Sequence, residues 1–211
     1  MRRRAAQIAS AAATLALAAA SHAAAMTFEM VSRPAECAAH GCIVAEGAIE
    51  ANTAKQFQAF VRDHKAKPGA VVVLQSPGGD LLQGLALGQE IRDAGLSTRV
   101  QAYDHGAGQF GAAGMCASAC AYVFLGGVNR TVAAGARIGV HQVAAAGDDA
   151  SALSAADGLK LMSAVGDYIG RLGGNLDLII PALRTSPWNV YWLSPAELAR
   201  YDVITQGPAH A

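Results

Sequence analysis

Several features are missing from this 211-residue chain, and each absence narrows its function. Beyond residue 25 no apolar run reaches the ~20 residues that a membrane-spanning helix needs. No internal repeat recurs and no long linker divides the chain. No paired C-x-x-C offers the ligand spacing of a structural zinc site. Charge is sparse, with Asp, Glu, Lys and Arg at 15% of residues and the 16 acidic side chains balanced by 16 basic ones. No basic run follows Arg2, Arg3 and Arg4, which argues against nucleic acid as a partner.

What is present begins with "MRRRAAQIASAAATLALAAASHAAA". Three arginines, an alanine- and leucine-rich run, and small residues at Ala23 and Ala25 have the form of a secretory signal over residues 1–25. Its removal leaves 13 basic against 16 acidic residues, a net charge of about −3. The expected product is a single domain over residues 26–211 with a sizeable core, periplasmic or secreted. In that compartment the four cysteines are expected to form two disulfides, for which three connectivities exist. Cys37 and Cys42 flank a turn with Gly41, and Cys116 and Cys120 are equally close, so local pairing is the first choice. The competing metal reading would take these cysteines with His40.

Periodicity predicts alternating helices and strands. Phe57, Phe60 and Val61 lie at helical spacing after a cap at Asn52 or Thr53. "AVVVLQ" (70–75) is a continuous apolar run that suits a strand buried on both faces. "SPGGD" then leads into a helix with Leu82, Leu85 and Ile91, capped by Asp80 and closed by Gly95. "STRVQAY" (97–103) reads as a strand, the Ser118 segment opens a third helix, and "ARIGVHQ" (136–142) is a further strand. Leu159, Met162, Val165, Ile169 and Leu172 mark a long helix. Such alternation implies right-handed crossovers and an α/β fold with a mainly parallel sheet. Sites in such sheets gather at the carboxyl ends of strands.

Three motifs fall at those ends: the glycine turn at Gly78 and Gly79, Ser118 within "MCASACAYVFLGG", and His141. Each has a plain structural reading, as a tight turn, a helix cap and a core histidine. Together they make chemical sense. A serine hydroxyl becomes nucleophilic when a neutral imidazole takes its proton. The charge that then develops on a carbonyl oxygen needs backbone N–H donors, which a glycine turn can bring close. Gly78 or Gly79 could supply one donor, and Ala119, just after the serine, a second.

These motifs resemble the Clp-protease and crotonase-like superfamily, and within it the periplasmic Clp-like proteins. "SPGGD" is similar to the glycine turn before the first helix of Clp proteolytic subunits, "ASACAYVFLGG" to their nucleophile helix and "ARIGVHQ" to their histidine strand. "WLSPAELARYDVIT" is similar to the closing helix and strand. The resemblance covers residues 45–206, with a longer glycine-rich connection, "DHGAGQFGAAG" (104–114). It implies a crotonase/Clp-like ββα superhelix, Ser118 as nucleophile, His141 as base, and Gly79 with Ala119 as oxyanion donors. It further implies a peptide or protein substrate and no cofactor. No partner ATPase is expected outside the cytoplasm, and a homo-oligomer is compatible with it.

The resemblance breaks at the third catalytic position. Counting back from "LSPAE", the place of the Clp aspartate falls at Thr185 or Ser186, where there is no carboxylate. Asp177 lies eight or nine residues earlier and is the candidate third member, with Asp167 a weaker one. Loss of such a carboxylate can cost about four orders of magnitude in rate. Three alternatives therefore stand beside the Ser-His hydrolase. One is a Ser-Lys protease using Lys160 from the helix after the strand. Another is a non-catalytic binding or assembly protein that clamps a peptide with the glycine turn. A coenzyme A enzyme is the third.

Overall fold

The computed structural model describes residues 23–32, 34–37, 39–143 and 153–205, so most of the segment read as a signal lies outside the described residues. The chain begins with an antiparallel pair, β1 (Thr27–Val31) and β2 (Cys42–Glu46), followed by helix α1 (Thr53–Asp63). Strand β3 (Val71–Gln75), helix α2 (Leu81–Asp93) and strand β4 (Ser97–Val100) form a crossover unit. A short hairpin, β5 (Tyr103–Asp104) with β6 (Gln109–Phe110), interrupts it before β7 (Gly114–Ala117) and α3 (Ala119–Leu125). Strands β8 (Arg130–Val132) and β9 (Ala136–Val140) precede α4 (Ala155–Arg171), α5 (Ile179–Arg184), β10 (Tyr191–Trp192) and α6 (Pro195–Arg200).

The larger sheet has the order β1-β2-β3-β4-β8, parallel throughout except for β1. A smaller sheet, β10-β9-β7, pairs β7 with β9 in parallel and β10 with β9 antiparallel. The fold is therefore mixed α/β with a mainly parallel main sheet. Bridges Ile49 to Gly79 and Ser76 to Cys116 extend the chain beyond β3 and join the two sheets at its carboxyl end.

The main core holds Ile43, Phe57, Leu74, Leu87, Ile91, Phe124, Ile138 and Tyr168, all under 2% exposed. Each such large apolar side chain contributes about 1.5–3 kcal/mol relative to exposure. The outer face of β1-β2-β3 carries a second, smaller cluster of Val31, Cys37, Cys42, Val44 and Val73. Tyr103 and Phe110 of the β5-β6 hairpin pack against it. The glycine-rich connection is thus a cover for an otherwise bare sheet face.

The long helices follow the apolar periodicity. Asp80 caps α2 by accepting from the Gln83 N–H at 3.0 Å, and Gly95 closes it at φ +65°. Four local expectations need correction. Asn52 stands at the start of α1 with φ 69° and makes no capping bond, while Thr53 Oγ1 accepts from the Glu50 N–H at 2.9 Å. "STRVQAY" is not one strand: β4 ends at Val100 because the chain leaves the sheet to form the hairpin. Cys116, which a helix opening at Ser118 would place in the entering turn, lies on β7 instead: the strand pairs with β9 on one side, and on the other Met115 O and Ala117 N–H bond to the Ser76 N–H and O. Residues 201–205 form no strand after α6 and dock instead through Thr205 N–H to Arg130 O at 3.1 Å.

Candidate active site

Three backbone segments converge at the carboxyl end of β3. The first is "SPGG", which leaves β3 alongside residue 49 on one side and β7 on the other. Ile49 N–H donates to Gly78 O and Asp80 N–H to Ile49 O, both at 2.8 Å. Successive peptide groups of an extended chain alternate in direction. The Gly79 N–H therefore faces away from Ile49 and has no partner among the described residues. Gly78 is buried and Gly79 exposed, so the Gly79 amide is the one open to a ligand.

Ser118 is the second element. It joins β7 to α3 with φ 57° and ψ −126°, a conformation that costs a non-glycine residue about 1–3 kcal/mol. Its side chain makes no capping bond, which sets aside the plain reading as a helix cap. Its own N–H donates to Gly139 O and its carbonyl accepts from Ala121 N–H, each at 2.9 Å. The strained residue is held by neighbours on both sides. Sharp strand-to-helix turns of this kind present a nucleophile at the edge of a sheet.

The glycine turn lies directly against this junction. A Cβ added at Gly78 would sit 2.6 Å from Ala117 O, 2.7 Å from Ser118 Cβ and 3.1 Å from Ala119 N. Only glycine fits there, and φ of +100° favours it as well. The Ala119 N–H, like that of Gly79, has no partner among the described residues. Of the two glycine donors considered from the sequence, Gly78 is already engaged: its N–H donates to Ser76 Oγ at 3.1 Å.

His141 is the third element and follows β9 directly. Register places Met115 and Ala117 of β7 opposite Arg137 and Gly139 of β9, so these residues share one sheet face, and His141 lies one residue beyond the end of β9. Val190 and Trp192 cover the same face at Gly139, where an added Cβ would meet Val190 Cγ1 at 2.3 Å. His141 Nδ1 lies 2.6 Å from the Gln142 carbonyl oxygen. A carbonyl only accepts, so in the neutral ring Nδ1 carries the proton and Nε2 the lone pair. Both Ser118 and His141 are half-buried, and no hydrogen bond joins their side chains among the described residues. Such contacts often tighten only when substrate is bound.

The segment that closes this region is tied to the histidine through Gln142. Gln142 N–H donates to Thr185 O at 2.9 Å, and its side-chain Nε2 donates to Leu183 O at 2.6 Å. Residue 185 does come next to the histidine segment, but through its carbonyl. The Thr185 hydroxyl donates to Pro181 O at 2.8 Å, and Ser186 Oγ accepts from Trp188 N–H at 3.4 Å. Asp177 is exposed on a short 3-10 turn, its N–H donating to Asn175 Oδ1, and Asp167 is exposed on α4. Neither carboxylate bonds to His141 among the described residues. Lys160 is exposed on α4 and paired with Asp157 at 3.1 Å.

Both local disulfides form, Cys37–Cys42 and Cys116–Cys120, each with a Cα separation of 5.1 Å. With both pairs oxidised, no thiolate stands beside His40, and no group of three metal-ligating side chains occurs among the described residues. Two surface depressions lie elsewhere. One, of about 700 Å³, is lined by Gln89, Arg92, Asp93, Arg171 and Leu172; neither it nor the smaller one at His40 and His64 includes Ser118 or His141.

The chain matches no protein-family model and no curated protein sequence. No helix among the described residues is long and apolar enough to cross a membrane.

Two residues of this region escaped the sequence reading. Ser76 precedes Gly78 by two, a spacing at which a hydroxyl can accept from a turn amide, so its role had a local signal. Gln142 acts through its backbone carbonyl, which any residue carries, and left none.

Proposed function

We propose that this chain is an exported serine hydrolase acting on peptides, on a scaffold of the crotonase/Clp type. The observation that carries the reading is Ser118: a hydroxyl with no capping role, on a strained junction, beside the two unpartnered amides of Gly79 and Ala119. Strain of this kind persists only where surrounding structure enforces it, and it concentrates at working sites.

In the proposed reaction Ser118 Oγ bonds to the substrate carbonyl carbon as its proton passes to His141 Nε2. The carbonyl oxygen becomes an oxyanion and accepts from the Gly79 and Ala119 N–H groups, each such donor being worth about 3 kcal/mol in the transition state. The C–N bond then breaks, and the imidazolium returns the proton to the leaving amine. Water attacks the acyl-serine, His141 takes the water proton, and the acid product leaves as Ser118 regains its hydrogen. The Gln142 carbonyl holds the Nδ1 proton in the role that a carboxylate fills in a Ser-His-Asp triad. A neutral acceptor stabilises imidazolium less than a carboxylate does, so the expected hydrolase is slow.

Reaction of the mature protein with a fluorophosphonate, followed by mapping of the labelled residue, tests the proposal. Labelling at Ser118, lost in Ser118→Ala at unchanged melting temperature, is the expected result. Absence of labelling at Ser118 would sink the enzyme reading and leave the peptide-binding scaffold, which needs the amides but not the hydroxyl.

A further inference from the structure

We infer that Ser76 is a positioning residue for the oxyanion site, selecting Gly79 rather than Gly78 as the glycine donor. This inference rests on the hydrolase reading above. Ser76 is 1% exposed, and its Oγ accepts from the Gly78 N–H at 3.1 Å. Its backbone is strapped to the strand that carries the nucleophile, with Ser76 N–H donating to Met115 O at 2.9 Å and Ala117 N–H to Ser76 O at 3.0 Å. One residue thus grips both partners of the site, β7 through its main chain and the glycine turn through its hydroxyl.

Geometry gives this grip a consequence beyond satisfying a buried amide. At Gly78 there is no room for even one added carbon against Ala117 and Ser118, so the turn cannot shift toward the nucleophile. On its other side it is bonded to Ile49 through Gly78 O and Asp80 N–H. The peptide before Gly78 has no such main-chain tie at its N–H, and the Ser76 hydroxyl holds it. Without it the Gly78 N–H is unsatisfied in a buried position, and the planar Gly78–Gly79 peptide, which bears the Gly79 N–H, is left anchored only by Ile49 N–H at Gly78 O, with nothing holding the peptide before it.

Ser76→Ala and Ser76→Thr, each assayed by fluorophosphonate labelling across probe concentrations, test the inference. In Ser76→Ala the maximal labelling rate should fall about tenfold, less than the roughly 10²–10³-fold expected when a donor is removed outright. The probe concentration giving half-maximal rate should stay the same. The pH midpoint of labelling should also be unchanged, because His141 is untouched, and a merely structural lesion would not leave both constant. Ser76→Thr keeps the hydroxyl and should restore the rate, and it alone carries the test if the alanine variant does not fold. A folded Ser76→Ala with the wild-type rate, or a folded Ser76→Thr labelling about tenfold more slowly than wild type, would overturn the inference while leaving the hydrolase reading intact. Wild-type protein that never labels at Ser118 would overturn both.

Discussion

Cys37–Cys42 and Cys116–Cys120 close loops of similar length across the same 5.1 Å Cα separation, yet they occupy different mechanical settings. The first joins a short 3-10 turn to the start of β2 and packs with Val31, Val44 and Val73 in the outer cluster under the hairpin. The second straddles Ser118, with one cysteine on β7 and the other in the first turn of α3, both fully buried in the main core. On the chain-entropy argument either loop stabilises by about 2 kcal/mol, so global stability does not distinguish them. What differs is the backbone enclosed. One bridge encloses a turn with Gly41 at φ +82°, where glycine is at ease; the other encloses a serine at φ 57°. The same covalent link is a staple in one region and a brace in the other.

The largest expected effect separates these regions through their glycines. Gly78→Ala should reduce Ser118 labelling by about 10²-fold or more, since even ångström-scale misplacement costs that much, and should lower stability by more than about 1 kcal/mol. Gly41→Ala faces only the Met30 thioether, at 3.2 Å, beside the first disulfide. It should lower stability while labelling stays at the wild-type rate. Labelling rates and melting curves of both variants check the contrast, and equal labelling losses would dissolve it.

Next come the bridges themselves. Replacing Cys116 and Cys120 together by alanine should cut labelling about tenfold with a stability loss near 2 kcal/mol. The Cys37, Cys42 double variant should show a similar stability loss and unaltered labelling. If both double variants label alike, Cys116–Cys120 is another staple.

A smaller effect is expected from pH on the outer region. His105, at the hairpin, lies between Glu46 (2.7 Å from Nε2) and Glu29 (3.0 Å from Nδ1). The Glu46 hydrogen bond, helped by the charges of both glutamates and opposed by slight desolvation, raises the His105 pKa above its ordinary value. The stabilisation is therefore complete below about pH 6.5, the value in the unfolded chain, and is lost as pH rises through the raised folded value. The imidazole is half exposed, which keeps the contribution under about 1 kcal/mol and makes it sensitive to salt. Amide exchange of residues 103–110 should quicken with pH beyond the intrinsic rate at low ionic strength, and His105→Gln should remove the excess. A hairpin equally protected in wild type and variant at every pH would show that Tyr103 and Phe110 alone hold it.

The smallest effect is expected at Asp177. Exposed and bonded only within its own turn, it should tolerate Asn with less than about a twofold change in labelling. A loss near that of His141→Ala would instead make it the third catalytic member.

Much of the scaffold could be read from local pattern. The β3 run Val71 to Leu74, the cap at Asp80, the stripe through Val165 and Ile169, and the local cysteine pairs all depend on residues within a few positions of one another. The hairpin within 104–114 was legible only as a glycine-rich insertion, because its two strands are too short for any periodicity. The cluster it packs against runs from Val31 to Val73, about thirty or more residues away.

By itself the sequence determined the alternation of helix and strand, the order of glycine turn, serine and histidine, and the lack of a carboxylate near residue 185. Tertiary structure alone decided that Ser118 has an unspent hydroxyl on strained backbone, that Gly79 rather than Gly78 keeps a free amide, and that His141 is oriented by a carbonyl. The reason is physical. Propensity and periodicity are carried by side chains close along the chain. The direction of an N–H group is set by what its neighbouring peptides bond to, and here those partners are Ile49, Met115 and Gly139, which only folding brings together.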